Sequence, residues 1–269
     1  MTEAKFKKTI WEYYRKNRRS MPWRSHGTER LSPYWVVVSE IMLQQTQVSR
    51  VEKKFPAFIK KFPSFKALAG AHLRDVLKEW KGLGYNRRAL NLYRLAGELQ
   101  GRLPKTHEEL LELPGIGPNT AGSILAFAYN IPHPFIETNI RSVYIHFFFK
   151  DLKRKIHDKE LLPLIEKTLD TKKPREWYYA LMDYGSYLKK STPNPSRKST
   201  HHVKQSAFKG SNRELRAQIL QMIVESPSTM EKVQAKLPSA PEHSIEKNLL
   251  DLVYEGFLEK RNTIYSVRK

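Results

Sequence analysis

The chain has 269 residues, with 48 Lys+Arg against 27 Asp+Glu, a formal charge of +21 and no cysteine. The missing thiols exclude disulfides, thiolate zinc sites and cysteine-held iron–sulfur clusters, so no cofactor of that kind is expected. So basic a chain is attracted to polyanions, of which nucleic acid is the commonest.

The first twenty residues, "MTEAKFKKTIWEYYRKNRRS", lack the apolar core and cleavage site of a secretory signal, and no apolar run is long enough for a bilayer. A soluble intracellular protein is expected. Apolar residues then recur at three- and four-residue spacing, which predicts helices over Phe6–Tyr14, Tyr34–Val48, Val51–Phe58, Leu73–Leu83 and Ala89–Leu99. The same spacing continues over Glu108–Leu113, Thr120–Ala128, Asn139–Phe149, Lys159–Leu169 and Arg175–Leu188. Short breaks such as "KFPSF", "GRLPKT" and "NIPHPF" separate them. Residues 1–188 therefore read as an all-α domain. Residues 189–210 lie in a polar, basic stretch and read as a linker or DNA-facing loop. Residues 211–269 read as three helices (Arg213–Glu225, Ser228–Lys236, Glu242–Glu255) and two short strands in Gly256–Lys269, a winged-helix pattern. The third of these helices is not strongly basic, which suits packing or protein contact about as well as groove reading.

Two features carry chemistry. "LPGIGPNTAGSIL" places Gly115 and Gly117 two apart, then Pro118 and Thr120 at a helix start. Such a hairpin turns tightly and aims backbone N–H groups outward, a grip for a nucleic-acid phosphate that reads no sequence. An ordinary helix–turn–helix corner is the plain alternative. Further on, "PHPFIETNIRSV" sets Glu137 before a helix. A helix cap, a relic and a catalytic carboxylate all fit there. Glutamate is a poorer N-cap than aspartate, so Thr138 is the expected cap. Glu40 lies in the apolar run "VVVSEIML", where desolvation raises a carboxyl pKa and holds a proton ready. A solvent-facing acid is its plain alternative.

"MPWR", "VVVSEIMLQQTQV", "WKGLGYNRRALNL", "LPGIGPNTAGSILAFAY" and "YALMDYGS" occur in this order. Together they resemble the adenine DNA glycosylase (MutY) family of the helix–hairpin–helix DNA glycosylase superfamily, over roughly residues 5–190. The resemblance implies an all-α, two-lobed glycosylase fold with a DNA site between the lobes. It implies a monomeric base-excision repair enzyme, cytoplasmic and nucleoid-associated, acting on mismatched or damaged double-stranded DNA. It assigns Glu40 as the acid that protonates adenine N7, and Glu137, with Asn139, to the position of the catalytic aspartate. Two carboxyls suit the cleavage: one donates a proton to the leaving base, the other stabilises the sugar cation. Trp23, Arg24, Leu43, Asn119 and Tyr179 match positions that line the base pocket. Gln44, Gln45, Thr46, Tyr85, Asn86, Arg87, Gly115, Gly117, Pro118 and Thr120 match DNA-contacting positions.

The departures are informative. Glu137 is one methylene longer than the family's aspartate, so its carboxylate must fold back or its backbone retreat. Asn119 stands where bifunctional relatives carry a nucleophilic lysine, so no Schiff base forms there. The family's four cluster cysteines are absent, and Lys189, Lys190, Arg197 and Lys198 are left to meet the DNA backbone. His201 and His202 lack further ligands, so no metal is expected. Asn86 replaces a wedging tyrosine, Tyr179 an amide or acid, and the domain that reads 8-oxoguanine is not visible. The expected activity is monofunctional excision of adenine opposite guanine or 8-oxoguanine. A glycosylase for another base and an inactive mismatch-binding protein are the alternatives.

Overall fold

The computed structural model describes residues 1–24, 31–99 and 101–268. Its described residues form two compact units, each assembled from two separated stretches of chain.

The first unit comprises Met1–Glu40 and Leu103–Lys204. It holds α1 (Glu3–Asn17), most of α2 (Pro33–Leu43), α7 (His107–Leu111), α8 (Pro118–Tyr129), α9 (Thr138–Phe148), α10 (Asp158–Thr168) and α11 (Pro174–Ser191). The helices exist because their apolar stripes meet. Phe6 of α1 packs its ring against Tyr144, Phe148 and Trp177, at 5.1, 5.1 and 6.0 Å between centroids. Edge and tilted contacts of this kind add to the burial of large rings. Two glycines permit close backbone approach. A Cβ on Gly185 would lie 2.5 Å from Asn139 O, and one on Gly122 would lie 2.8 Å from Phe135 Cβ. So α11 and the segment before α9 are drawn against α9 and α8, respectively.

The basic stretch after Leu188 is folded through its first half. α11 continues to Ser191, and Pro195–Lys198 forms a 3-10 turn. Asn194 Oδ1 caps that turn, accepting from Ser196 N–H at 3.1 Å. Ile156 N–H donates to Lys198 O at 2.8 Å, and Thr200 N–H donates to Ile156 O at 3.0 Å. Lys155 donates to Arg197 O at 2.6 Å, and Lys198 to Leu152 O at 3.1 Å and to Lys150 O. Polar side chains on backbone carbonyls thus secure this segment.

The second unit comprises Ile41–Arg102 and Gln205–Lys269. Its first stretch carries the end of α2, then α3 (Val48–Lys61), α4 (Phe65–Ala69), α5 (Leu73–Trp80) and α6 (Arg87–Glu98). The periodicity suggested one helix through Val48, but α2 ends at Leu43 and a turn intervenes. The five-residue α4, capped by Ser64, was too short for the periodicity to register. The second stretch carries α12 (Asn212–Glu225), β1 (Ser228–Thr229), α13 (Met230–Lys236), α14 (Glu242–Tyr254), β2 (Leu258–Arg261) and β3 (Ile264–Val267). β3 lies between β1 and β2, antiparallel to both. Ser228–Thr229, expected to open a helix, instead form the third strand, and Thr229 caps α13. The expected hairpin region includes Lys269, which lies outside the described residues.

This C-terminal part is fixed by charge on helix ends. Arg74 Nε donates to Val224 O at 2.6 Å and Arg94 Nη2 donates to Glu255 O at 2.8 Å, at the C-termini of α12 and α14. Cations there meet the negative end of the helix dipole and its unpaired carbonyls. The Lys81–Glu225 ion pair (3.3 Å) adds to the docking, and Arg216–Glu255 (2.8 Å) ties α12 to the end of α14.

Candidate active site

Glu40 sits three residues from the end of α2, on a helix whose other residues are mostly apolar. It is half-buried, and desolvation raises its carboxyl to about 7; the neighbouring charge of Glu137 pushes the same way, while Arg24 and a Ser123 hydrogen bond oppose it. Ser123 Oγ also reaches Thr120 O, at 2.9 Å.

Glu137 is the N-cap of α9. Its Oε1 accepts from Asn139 N–H at 2.8 Å and Ile140 N–H at 3.1 Å, and its Oε2 accepts from Asn139 Nδ2 at 3.2 Å. The expectation that Thr138 would cap is corrected. The longer side chain curls back to the N-terminus of its own helix, which absorbs the extra methylene. Asn119, at the start of α8, accepts from Ile136 N–H at 3.0 Å and so ties the hairpin to the residue before Glu137. Gly117 is the α8 N-cap and Pro118 its first residue, with Gly115 in the left-handed region at φ 81°.

Arg24 is buried and donates to Asp183 Oδ1 at 2.9 Å. Its guanidinium lies 4.3 Å from the ring centroid of Tyr179, which stacks on Phe127 at 4.8 Å. Arg19 completes the set, with Nε 2.6 Å from Asp183 Oδ1 and its backbone N–H 2.9 Å from Oδ2. Asp183 was not among the residues singled out from the sequence; only the "MD" within a quoted motif pointed to it. Burial drives the Tyr179 phenol well above its ordinary pKa, so it stays a neutral ring. Lys189, one turn beyond Gly185 on α11, is partly desolvated, which lowers its pKa, and the Glu137 charge opposes that fall. Glu40, Glu137, Arg24, Tyr179 and Lys189 thus act on one another electrostatically. Trp23 is buried beside Arg24 in sequence. Arg197 is exposed on the 3-10 turn.

The second unit gathers most of the remaining residues. Arg88, which the sequence reading passed over, is buried and donates from Nη1 to the carbonyls of Ile41, Met42 and Gln44 (2.9, 2.8 and 2.5 Å). Its Nη2 donates to Thr46 Oγ1, Leu83 O and Gly84 O (2.8, 3.0 and 2.8 Å). One guanidinium therefore fastens the turn after α2 to the turn before α6. Burial lowers its pKa to about 10, so it remains a cation near neutrality. Gln45 and Tyr85 sit at the tips of these turns, exposed and with left-handed backbones at φ 55° and 47°. Leu43 closes α2, Asn86 precedes α6, and Arg87 points to Glu255 at 3.8 Å.

Residues 38–167 match the family model for the HhH-GPD superfamily of base excision DNA repair proteins. An adenine DNA glycosylase of Buchnera aphidicola subsp. Baizongia pistaciae is 36% identical over 193 residues, 70% of this chain and 54% of that one. The Mycolicibacterium smegmatis adenine DNA glycosylase is 41% identical over 138 residues, 50% of this chain and 46% of the relative. The human one is 31% identical over 192 residues, 67% and 35% of the two chains. The chain spans about half the length of the first two of these relatives and about a third of the human one. Among solved structures, a thermostable thymine-DNA glycosylase aligns at TM-score 0.59 and 26% identity, over 68% of this chain and 86% of that one. An endonuclease III–DNA covalent intermediate aligns at 0.57 and 17% identity, over 70% and 87%, a likeness of fold.

Proposed function

Because the chain belongs to the HhH-GPD superfamily of base excision DNA repair proteins and is similar to its adenine glycosylases, we propose that it is a DNA glycosylase that excises adenine mispaired with guanine or 8-oxoguanine. The observation that carries the reading is the asymmetric carboxyl pair. Glu40 is raised to about 7 and holds a proton near neutrality, while Glu137 accepts three N–H bonds as a carboxylate does.

The chemistry follows from those states. The target base leaves the stack and enters a pocket. Glu40 gives its proton to the base nitrogen N7 as the C1′–N9 bond breaks, so adenine departs neutral. The sugar becomes an oxocarbenium ion, and the Glu137 carboxylate faces that charge. Water adds to C1′, and its proton passes to a carboxylate, leaving an abasic site. Asn119 offers no amine, which supports a monofunctional enzyme without strand cleavage at that position.

The test is alkali-revealed cleavage of A:G and A:8-oxoguanine duplexes with wild type, Glu40→Gln and Glu137→Gln. Wild-type cleavage lost in both variants supports the reading; release that survives both substitutions overturns the assigned roles. A second reading keeps the enzyme and changes the base. Tyr179, roofed by Arg24 and stacked on Phe127, favours it, because a fixed ring replaces an amide or acid. A panel carrying uracil, thymine mismatches, hypoxanthine and alkylated bases separates the two.

A further inference from the structure

The arginines around the candidate carboxylates are already committed. Arg141, on α9, donates from Nε and Nη2 to Asp158 at 2.8 and 2.6 Å. Arg19 and Arg24 share the buried Asp183, at 2.6 and 2.9 Å from its Oδ1. Lys189 is different. It lies half-buried in the last turn of α11 and makes no hydrogen bond or ion pair with the described residues. A lysine taken partly out of water without a partner is uncommon. Glu137 is its counterpart: the three bonds it accepts come from uncharged N–H groups.

The fold brings these two uncommitted charges together. The chain is fixed to α9 at two points that bracket Lys189. Gly185 packs on Asn139, where a Cβ would lie 2.5 Å from the carbonyl oxygen, and Asn194 Oδ1 accepts from Ser142 Oγ at 3.4 Å. Lys189 is thereby kept beside the first turns of α9, the helix that Glu137 caps. Burial lowers the pKa of the Lys189 ammonium; the Glu137 charge opposes that fall, while Arg141 and Arg19 add to it. Glu137 acts in turn on Glu40.

We propose that Lys189 is a positioning residue for base release: its ammonium acts through space on Glu137 and keeps that carboxylate charged while Glu40 holds its proton. The inference rests on the glycosylase reading, in which the two acids need opposite protonation states at one pH. That window is bounded above by Glu40, at about 7, and below by protonation of Glu137. A cation beside Glu137 widens it from below. Coupling is reciprocal, so the pull that Glu137 exerts on Lys189 is also the pull that Lys189 exerts on Glu137. Partial burial protects the pull from screening. Distance matters as well. An ammonium bonded to the carboxylate would oppose the developing sugar cation, whereas one acting without contact leaves the carboxylate free to face it.

The experiment compares wild type, Lys189→Met and Lys189→Arg in single-turnover release of adenine from an A:G duplex, with saturating enzyme, from about pH 4.5 to 8.5. Lys189→Met is expected to move the acid limb of the rate profile toward neutrality by about half to one pH unit, the scale of one partly screened charge. The alkaline limb should move less. Lys189→Arg restores the charge and is expected to restore the acid limb. An acid limb unmoved in Lys189→Met overturns the proposal; if duplex binding then also weakens, with a salt slope smaller by about one, Lys189 is a phosphate contact instead.

A second measurement needs no base release. Lysine side-chain NMR resonances, with Lys189 assigned by its loss in Lys189→Met, are titrated in wild type and in Glu137→Gln. The Lys189 midpoint is expected to fall in Glu137→Gln by about the same half to one unit. An unchanged midpoint overturns the proposal. Failure of wild type to release adenine from any duplex would count against the function proposed above, and the titration would still decide whether the two charges are coupled.

Discussion

Glu137 and Asn139 are bonded twice over: the Asn139 N–H reaches Oε1 at 2.8 Å, and the Asn139 side-chain amide reaches Oε2 at 3.2 Å. Glu137 is therefore a cap and a candidate catalytic carboxylate at once. Those roles separate under substitution. Glu137→Ala should lose about 1–2 kcal/mol of stability in urea denaturation, the cost of a missing N-cap. Glu137→Asp caps at least as well and reaches the same N–H groups without curling. It should keep its stability and release adenine within about tenfold of wild type. Abolished release in the aspartate variant would mean that the pocket is built around glutamate.

The raised pKa of Glu40 sets a pH dependence. Its ordinary value of 4.5 rises to about 7 in the folded chain, so the native state holds the proton more tightly than the unfolded one. Native stabilisation of the protonated acid is complete below about 4.5 and is lost as pH rises through about 7. Glu40→Gln should remove this slope and be about 1–3 kcal/mol more stable than wild type at pH 8. Urea titrations at pH 5 and pH 8 would show it. Release of base should fall over the same upper range as the proton donor is lost, in single-turnover rates measured from pH 5.5 to 8.5.

Gly185 is where α11 touches the start of α9. A methyl there would meet Asn139 O at 2.5 Å and Asn139 Cβ at 2.6 Å, and backbone cannot swing aside as a long side chain can. Gly185→Ala should destabilise by about 1–3 kcal/mol. Base release should fall further than the loss of folded protein explains, because the displaced residue is bonded to Glu137. A variant with wild-type midpoint and rate would contradict the close approach.

Arg88 has no adequate substitute. Its planar fork serves six acceptors that lysine cannot reach together. Both Arg88→Lys and Arg88→Met should cost about 2–4 kcal/mol, since each leaves buried carbonyls unpaired. Amide exchange at residues 44–46 and 83–86 should rise in both variants. Protection confined to one turn would show that the two are not held by one group.

The sequence was most legible where a local pattern and its chemistry coincide. The hairpin "LPGIGPNT" implies its own turn, because Gly115 adopts a φ that other residues resist and Pro118 suits a first helical position. Glu40 stood out because an acid in an apolar run tends to be desolvated. Other features depend on partners distant in the chain. Nothing local marks Arg88 in "YNRRAL" as buried and Arg87 as exposed; that difference is set by carbonyls some forty residues away. Asp183 gains its meaning from Arg19 and Arg24. The capping role of Glu137 was read against because propensity averages over side-chain paths, and this side chain takes the curled one. The stretch after Leu188 looked like a linker because its composition is polar, yet its polar groups bond to backbone carbonyls and so build structure.

The order in which the second unit's pieces are made has its own consequence. Residues 41–102 leave the ribosome long before residues 205–269, and both belong to one compact unit. Arg74 and Arg94 must therefore remain without the carbonyls they cap until residues 224 and 255 have been made. Domains usually mature in the order of translation. Here the earlier half waits on the later one: a chain clipped before Gln205 leaves Arg74 and Arg94 without the carbonyls they cap.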